Sequence, residues 1–433
     1  MSRWSFCGGL GSEAVSSWYF ANGERRETTE ICRWTTNGPG RFRRARDEYM
    51  KARLRAEVYP PRAYNRTGWI TRTEARMREY IAFDSHKRYT IMERENQQTS
   101  VARQRRIEHA PGAICGALRD CEPGTPVAVE ATGNWYWIIS EIEQAGLRPL
   151  LVHPRKAKLM MGLINKTDQL DVHGLNRLQR NGTLPTVWIP PAELRDLREL
   201  TRVRMVLAAQ RTRLKNRISS TLAKYGLVVT DASDPYSQKA RRQVNAFLEQ
   251  LPPQTQWATR MLLVQLDFME GQIREQEQRL KQLIAVTPQM QLLMSLPGVG
   301  VILAAVLWLE IGTLERFASA DRLASYAGTT PRVHASGGVV RYGRLRPDVN
   351  RYLRWGFVEA ANSVAVNHTR CPQRHVSQLY RRLKLRKGHA KAIGAVARHL
   401  AEATYHVLSR NQAYQDPAVQ AGPIQGGVSA GLS

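Results

Sequence analysis

The stretch REYIAFDSHKRYTIMEREN, residues 78 to 96, decides the fold. YIAFD (80 to 84) is a short apolar run that ends in an acid, RYTIMERE (88 to 95) alternates like a half-exposed strand, and the residues between them suit a hairpin. Further along, after a helix expected near 109 to 119, PVAVE (126 to 130) reads as a buried strand with Glu130 at its end. NWYWIISEIEQAG (134 to 146) has helical spacing, and LRPLLVH (147 to 153) reads as another strand. Alternating strands and helices predict an α/β fold with a mixed sheet.

In such sheets ligands collect beyond the carboxyl ends of strands, where Asp84 and Glu130 both fall. NKTDQLDVHGLNRL (165 to 178) adds Asp168 and Asp171, three apart and so on one face of the helix they open. Taken alone, that pair also suits helix capping, because acids complement the dipole and free amides of an N-terminus. Four converging carboxylates, however, repel one another unless a cation sits among them, and hard divalent ions require such oxygen ligands. Two ions about 4 Å apart suit phosphodiester chemistry. The expected cofactor is Mg²⁺, as two ions, with Mn²⁺ able to substitute.

Composition restricts the partners. The 433 residues suffice for two or three domains, and 64 Lys plus Arg against 37 Asp plus Glu give a net charge of +27. Such an excess favours a polyanion, most commonly nucleic acid. There is no apolar run of about 18 residues and no signal-peptide core, so a soluble, cytoplasmic protein without a membrane partner is expected. Five cysteines, with no CxxC pair, argue against a disulfide framework or a zinc ribbon. His368, Cys371 and His375 could share a helix face, but a fourth ligand is missing.

Residues 1 to 76 are rich in Gly, Ser, Thr and Arg with poor periodicity, so they read as a disordered basic extension. Either they form a flexible arm or the biological start is Met77. From about 191 to 225 and from about 255 to 285, apolar residues at helical spacing alternate with arginines, which predicts a helical, coiled-coil hairpin. One reading is a projecting pair that dimerises and holds nucleic acid; the other is an ordinary solvated helical hairpin. LMSLPGVGVILAAVLWLEIG (293 to 312) then resembles a helix-hairpin-helix, with Gly298 and Gly300 letting backbone amides approach a phosphate, although such turns also serve plain packing.

TTPRVHASGGVVRYG (329 to 343) places Ser336 before two glycines, with Arg332, Arg341 and Arg344 near it. Serine before Gly-Gly is usually a turn residue. An attacking hydroxyl needs the same bare approach, and the arginines suit a phosphate.

FDSHKRYT, VEATGNWYW and NKTDQLDV resemble the three blocks of the DEDD, RuvC-like domain of insertion-sequence transposases of the IS one-ten type, the bridge-RNA-guided recombinases. The block 324 to 361 around Ser336 is similar to that family's C-terminal transposase domain. It departs from the family, which has Arg, a few residues and then Gly-Asn before the LR, at RYGRLRPDVNRYLR, where Arg346 and Pro347 stand as if inserted, which leaves the loop conformation open. The resemblance implies metal-binding, catalytic roles for Asp84, Glu130, Asp168 and Asp171 and a nucleophilic role for Ser336, through a transient phosphoserine link to DNA. It implies domains at 77 to 188 (RuvC-like), 189 to 287 (coiled coil) and 288 to 411 (mostly α, transposase), with a disordered tail at 412 to 433. It further implies double-stranded donor and target DNA, a structured guide RNA, a homodimer assembling to a homotetramer, and a prokaryotic, nucleoid-associated setting. Lys384, Arg386 and Lys387 of the basic helix near the C-terminus are expected to contact nucleic-acid backbone, with Arg332, Arg341, Arg344, Gly298 and Gly300. Two other readings stay open: a metal-dependent junction nuclease that uses water, and an inactive nucleic-acid-binding relative.

Overall fold

The computed structural model describes residues 19–21, 24–26, 79–162, 167–230, 232, 234–346 and 348–417. The chain divides into two units, Met1–Trp69 and Ile70–Ser433. In the first unit the described residues are β1 (Tyr19–Ala21) and β2 (Glu24–Arg26), an antiparallel pair. The rest of the basic extension and residues 418–433 of the tail lie outside the described residues.

The second unit begins with a mixed five-stranded sheet. Its strands are β3 (Glu79–Ser85), β4 (Tyr89–Asn96), β5 (Ala102–Glu108), β6 (Pro126–Glu130) and β7 (Arg148–Val152), in the order β5-β4-β3-β6-β7. The first three are antiparallel, whereas β6 and β7 run parallel to β3. Side chains alternate across a strand, so β3 feeds two cores. Ile81 and Phe83 pack with α1 (Ala113–Ala117) and α2 (Trp135–Gln144), while Ala82 packs with α3 (Pro154–Met161) and α4 (Asp168–Arg180).

Two local expectations need correction. The helix near 109 to 119 is only five residues long and begins at Ala113, after Gly112 in the left-handed region (φ 77°). β5 was not expected at all. Its sequence ARQRRIE shows almost no apolar alternation, since it is an edge strand with Ile107 as its one buried residue.

Beyond the sheet the chain is mostly helical. α5 (Ala192–Ala223) and α7 (Pro253–Leu283) are the two long helices, and they pack along each other with α6 (Gln238–Leu248) at one end. A second large core joins α8 (Pro288–Met294), α9 (Val301–Ile311), α10 (Ala320–Tyr326), α11 (Arg351–Asn367), α12 (His375–Lys387) and α13 (His389–Arg410). The start of the expected disordered tail is held against this core: Tyr414 donates its amide to Ser295 Oγ at 2.7 Å. Between α10 and α11 stands a separate hairpin, β8 (Pro331–Ser336) and β9 (Val339–Leu345). Among the described residues, no helix is long and apolar enough to cross a membrane.

Candidate active site

The register of the sheet gathers the acids. Ala82 lies beside Ala128 and Phe83 beside Val129, so the next residues, Asp84 and Glu130, stand at the carboxyl ends of neighbouring parallel strands. Period two places both on the face of Ala82 and Ala128, which is the face that α4 covers. Helix α4 opens at this end of the sheet. Thr167 caps it by accepting from Leu170 N at 3.2 Å, and Asp168 and Asp171 fill its first turn.

Buried acids of β4 fix where α4 sits. Glu93, 1% exposed, accepts from Asn176 Nδ2 at 3.0 Å and lies 3.1 Å from His173 Nδ1, while Glu95 pairs with Arg180. Charges withdrawn from water are tolerated only with such partners. A helix tied at three points to β4 presents its N-terminus to the end of β3.

At the centre is a residue that sequence reasoning passed over. His86 Nε2 lies 3.2 Å from Asp84 Oδ2 and 3.1 Å from Asp168 Oδ2. The atom is enclosed, and it sits within ion-pairing distance of both carboxylates without a well-directed hydrogen bond to either. Tyr89 donates to Asp168 Oδ2 at 3.0 Å, and its ring lies 4.7 Å from the His86 ring and beneath the Arg106 guanidinium at 3.7 Å. Asn134, after β6, donates to His86 O at 2.7 Å and so ties the Glu130 loop to the turn after β3. The signal for His86 was present in FDSHK: a histidine two residues past an acid that ends a strand.

Asp84 titrates above its ordinary value of 3.8. Burial is the largest cause; His86 opposes it, and the charges of Asp168 and Asp171 add to it. A carboxyl held up in this way lacks a sufficient counter-charge. Asp84, His86 and Asp168 each bring a ligand atom within 4.8 Å of the others, the one such grouping among the described residues. The enclosed Nε2 among carboxylates and the raised Asp84 carboxyl fit a divalent cation. His368, Cys371 and His375 form no such group: His368 Nδ1 lies 2.6 Å from Ala365 O, and His375 stacks on His399 at 4.9 Å.

Ser336 is placed differently. It is the last residue of β8 and pairs with Val339, so Gly337 and Gly338 form a two-residue turn with φ of 56° and 77°. Positive φ at both central positions is the requirement of a type I′ hairpin, and it explains the glycines without any need for space, since no atom lies within 4 Å of an added Cβ at either one. Ser336 is exposed, as are His334 and Arg341; Arg332 is half-buried, and the side chain of Arg344 lies outside the described residues. At the base, Arg346 pairs with Asp348 at 2.7 Å and holds that carboxyl down at about 2. Lys384, Arg386 and Lys387 are all exposed at the end of α12. Gly300 is exposed before α9, whereas Gly298 (φ 80°) packs so closely that a Cβ would lie 2.3 Å from Ala360 O. Packing alone thus demands glycine at 298.

Comparisons with known proteins fall on these two regions. A DEDD transposase model of the IS110 type matches residues 84–226, beginning at Asp84 itself, and the model described as "Transposase IS116/IS110/IS902 family" matches residues 290–377, around Ser336. The chain is 26% identical over 307 residues to a probable family 20 transposase of Pseudomonas aeruginosa, covering 68% of this chain and 86% of that one. It is 24% identical over 292 residues to the transposase for insertion sequence element IS1111A of Coxiella burnetii, covering 67% and 79%. It is also 29% identical over 147 residues to the pilin gene-inverting protein of Moraxella bovis, covering 33% and 45%. One match lands on the acid end of the sheet and the other on the glycine-turn serine, and the chain that carries both belongs to the IS110-type transposases, enzymes that recombine DNA.

Proposed function

We propose that the protein moves an insertion sequence by RNA-guided cleavage and exchange of DNA strands, using a metal-bound acid site in a RuvC-like domain and Ser336 as nucleophile. The observation that carries this reading is the convergence of Asp84, Asp168 and Asp171, with Glu130 on the adjoining strand, in a chain of net charge +27. Asp84, Glu130, Asp168 and Asp171 would hold Mg²⁺, with Mn²⁺ as substitute and two ions as the complement. Bound there, the ions supply charge neutralisation at the scissile phosphate and a lowered barrier to attack. Tyr89 orients Asp168, and Asn134 holds the Glu130 loop.

Ser336 Oγ forms a bond to phosphorus while the bridging ester oxygen of the DNA leaves, and the hydroxyl of a second strand later displaces the serine. Neither step gains or loses a phosphodiester bond overall. Arg332, Arg341 and Arg344 would contact the phosphates at the hairpin, and Gly300, Lys384, Arg386 and Lys387 the backbone further away. Guide RNA would pair with donor and target DNA, leaving the protein to read backbone and shape. A homodimer assembling to a tetramer would supply a site for each strand exchanged, with domains near 77–188, 189–287 and 288–411.

The test is a denaturing gel of labelled DNA after incubation with guide RNA and Mg²⁺. Wild-type protein should give an adduct that survives detergent and disappears with protease, and Ser336→Ala should bind nucleic acid yet give none. Cleavage by Ser336→Ala at the wild-type rate would make water the nucleophile and the protein a junction nuclease.

A further inference from the structure

We propose that Glu310 is a positioning residue that, through Arg202 on one side and Asn350 on the other, holds the Glu130 loop and the root of the Ser336 hairpin in one fixed relation. The inference rests on the reading of Ser336 as nucleophile. Glu310 is the penultimate residue of α9, otherwise an apolar helix, and it is fully buried. A carboxylate withdrawn from water persists only where its oxygens are filled. Here they are: Arg202 donates from Nε to Oε1 at 2.8 Å and from Nη2 to Oε2 at 3.1 Å, and Asn350 Nδ2 donates to Oε2 at 2.8 Å. Arg198, 4% exposed, adds charge at 3.7 Å and grips the same turn by donating to Leu309 O and Glu310 O.

Each partner leads to one half of the proposed chemistry. Asn350 follows the hairpin, caps α11 by accepting from Tyr352 N and Leu353 N at 3.0 Å each, and donates its own amide to Tyr326 O. It is therefore the first fixed point after Ser336, β9 and the Arg346–Asp348 bridge. Arg202, on α5, reaches the other way: Nη1 lies 3.4 Å from Tyr136 Oη, in the first turn of α2, six residues after Glu130. Arg195 lies over the same Tyr136 ring at 5.0 Å. A well-packed apolar pair could supply comparable stability, because buried ion pairs seldom stabilise beyond hydrophobic replacements. The ionic version differs in being directional. Bidentate guanidinium contacts fix angle as well as distance, which is what two separated reactive groups require.

The experiment compares full-length wild type, Glu310→Gln and the double variant Arg202→Met with Glu310→Leu. Melting temperature, nucleic-acid affinity and the rate of the Ser336–DNA adduct are measured for each. The double variant should bind nucleic acid like wild type and melt lower, because Asn350 and the buried Arg198 lose their carboxylate; well below that transition it should form adduct on the order of 10- to 100-fold more slowly, as expected of a small misplacement away from the chemistry. An adduct rate equal to wild type in the double variant overturns the proposal. Hydrogen exchange on Glu310→Gln, well below its melting transition, decides the matter if the double variant does not fold. Protection should then fall together in 345–353 and 130–137 and be unchanged in the core of α13; loss in only one of the two segments, or equal loss in α13, overturns it. If wild type itself forms no adduct, the serine reading fails, while the exchange measurement still reports on the coupling.

Discussion

The acid end of the sheet and the serine hairpin are built in opposite ways. Asp84 is 8% exposed, sits on a strand flanked by two cores, and faces a helix tied down by Glu93 and Glu95. Ser336 stands at the tip of a two-stranded sheet whose Val333, Val339, Val340 and Tyr342 are all more than half exposed. One region is prepared before any substrate arrives. The other has a defined turn but no core beneath it, which suits a group that is fixed only when nucleic acid or another surface covers it.

The largest effect should come from the prepared side. Asp171→Asn is expected to lower metal-dependent cleavage by about 10³-fold, since removing one preorganised charge-stabilising group costs about 10²–10³. Binding measured by mobility shift should be nearly unchanged, and full cleavage would remove the acid end from the chemistry. Glu93→Gln reaches the same site at one remove by loosening α4, with an expected loss of about 10- to 100-fold. If Glu93→Gln were silent, the fixed placement of α4 would be irrelevant.

A smaller effect tests the hairpin. Gly338→Ala forces a left-handed φ on a residue with a Cβ, at about 1–2 kcal/mol. Because no core lies beneath, the melting temperature should barely move while adduct formation drops about 5- to 30-fold, a factor that follows from the same strain. A large fall in melting temperature would mean that the hairpin is part of the folded core after all.

The smallest effect is on stability. Asp84 has a raised folded pKa, so its contribution to folding is fully present below its ordinary 3.8 and declines as pH rises through the folded value. At neutral pH without metal it opposes folding, and Asp84→Asn should raise the melting temperature slightly. The gain should vanish when melts are repeated in acid. By the same sign, metal affinity should weaken as pH falls, and at a higher pH than for an unperturbed carboxylate.

Much of the sheet was legible because its signals are local. PVAVE occupies its expected span, LRPLLVH came within one residue at each end, and α4 opens at Asp168 as the acid pair suggested. Asp84 and Glu130 could be placed at strand ends, but their pairing depends on β3 lying next to β6, a contact between residues over forty apart. β5 escaped notice because an edge strand needs little apolar sequence; FDSHK shows His86 beside Asp84 but not the second acid, Asp168, which only the fold brings to it. The Glu310 network was equally invisible. Its arginines read either as a nucleic-acid-holding face or as a solvated face of α5, whereas Arg198 is buried against α9, 112 residues away.

The serine hairpin also bears on how the protein behaves in solution. Among the described residues β8 and β9 pair only with each other, so each has an outer edge of free amides and carbonyls beside exposed valines. Such edges can template strand-to-strand self-association between copies. Arg341 within β9 and Arg332 within β8 set like charges against that contact, as gatekeepers do in other exposed strands. The arginines suited to phosphate therefore also protect solubility, and charge-removing substitutions there should be judged by aggregation as well as by DNA binding.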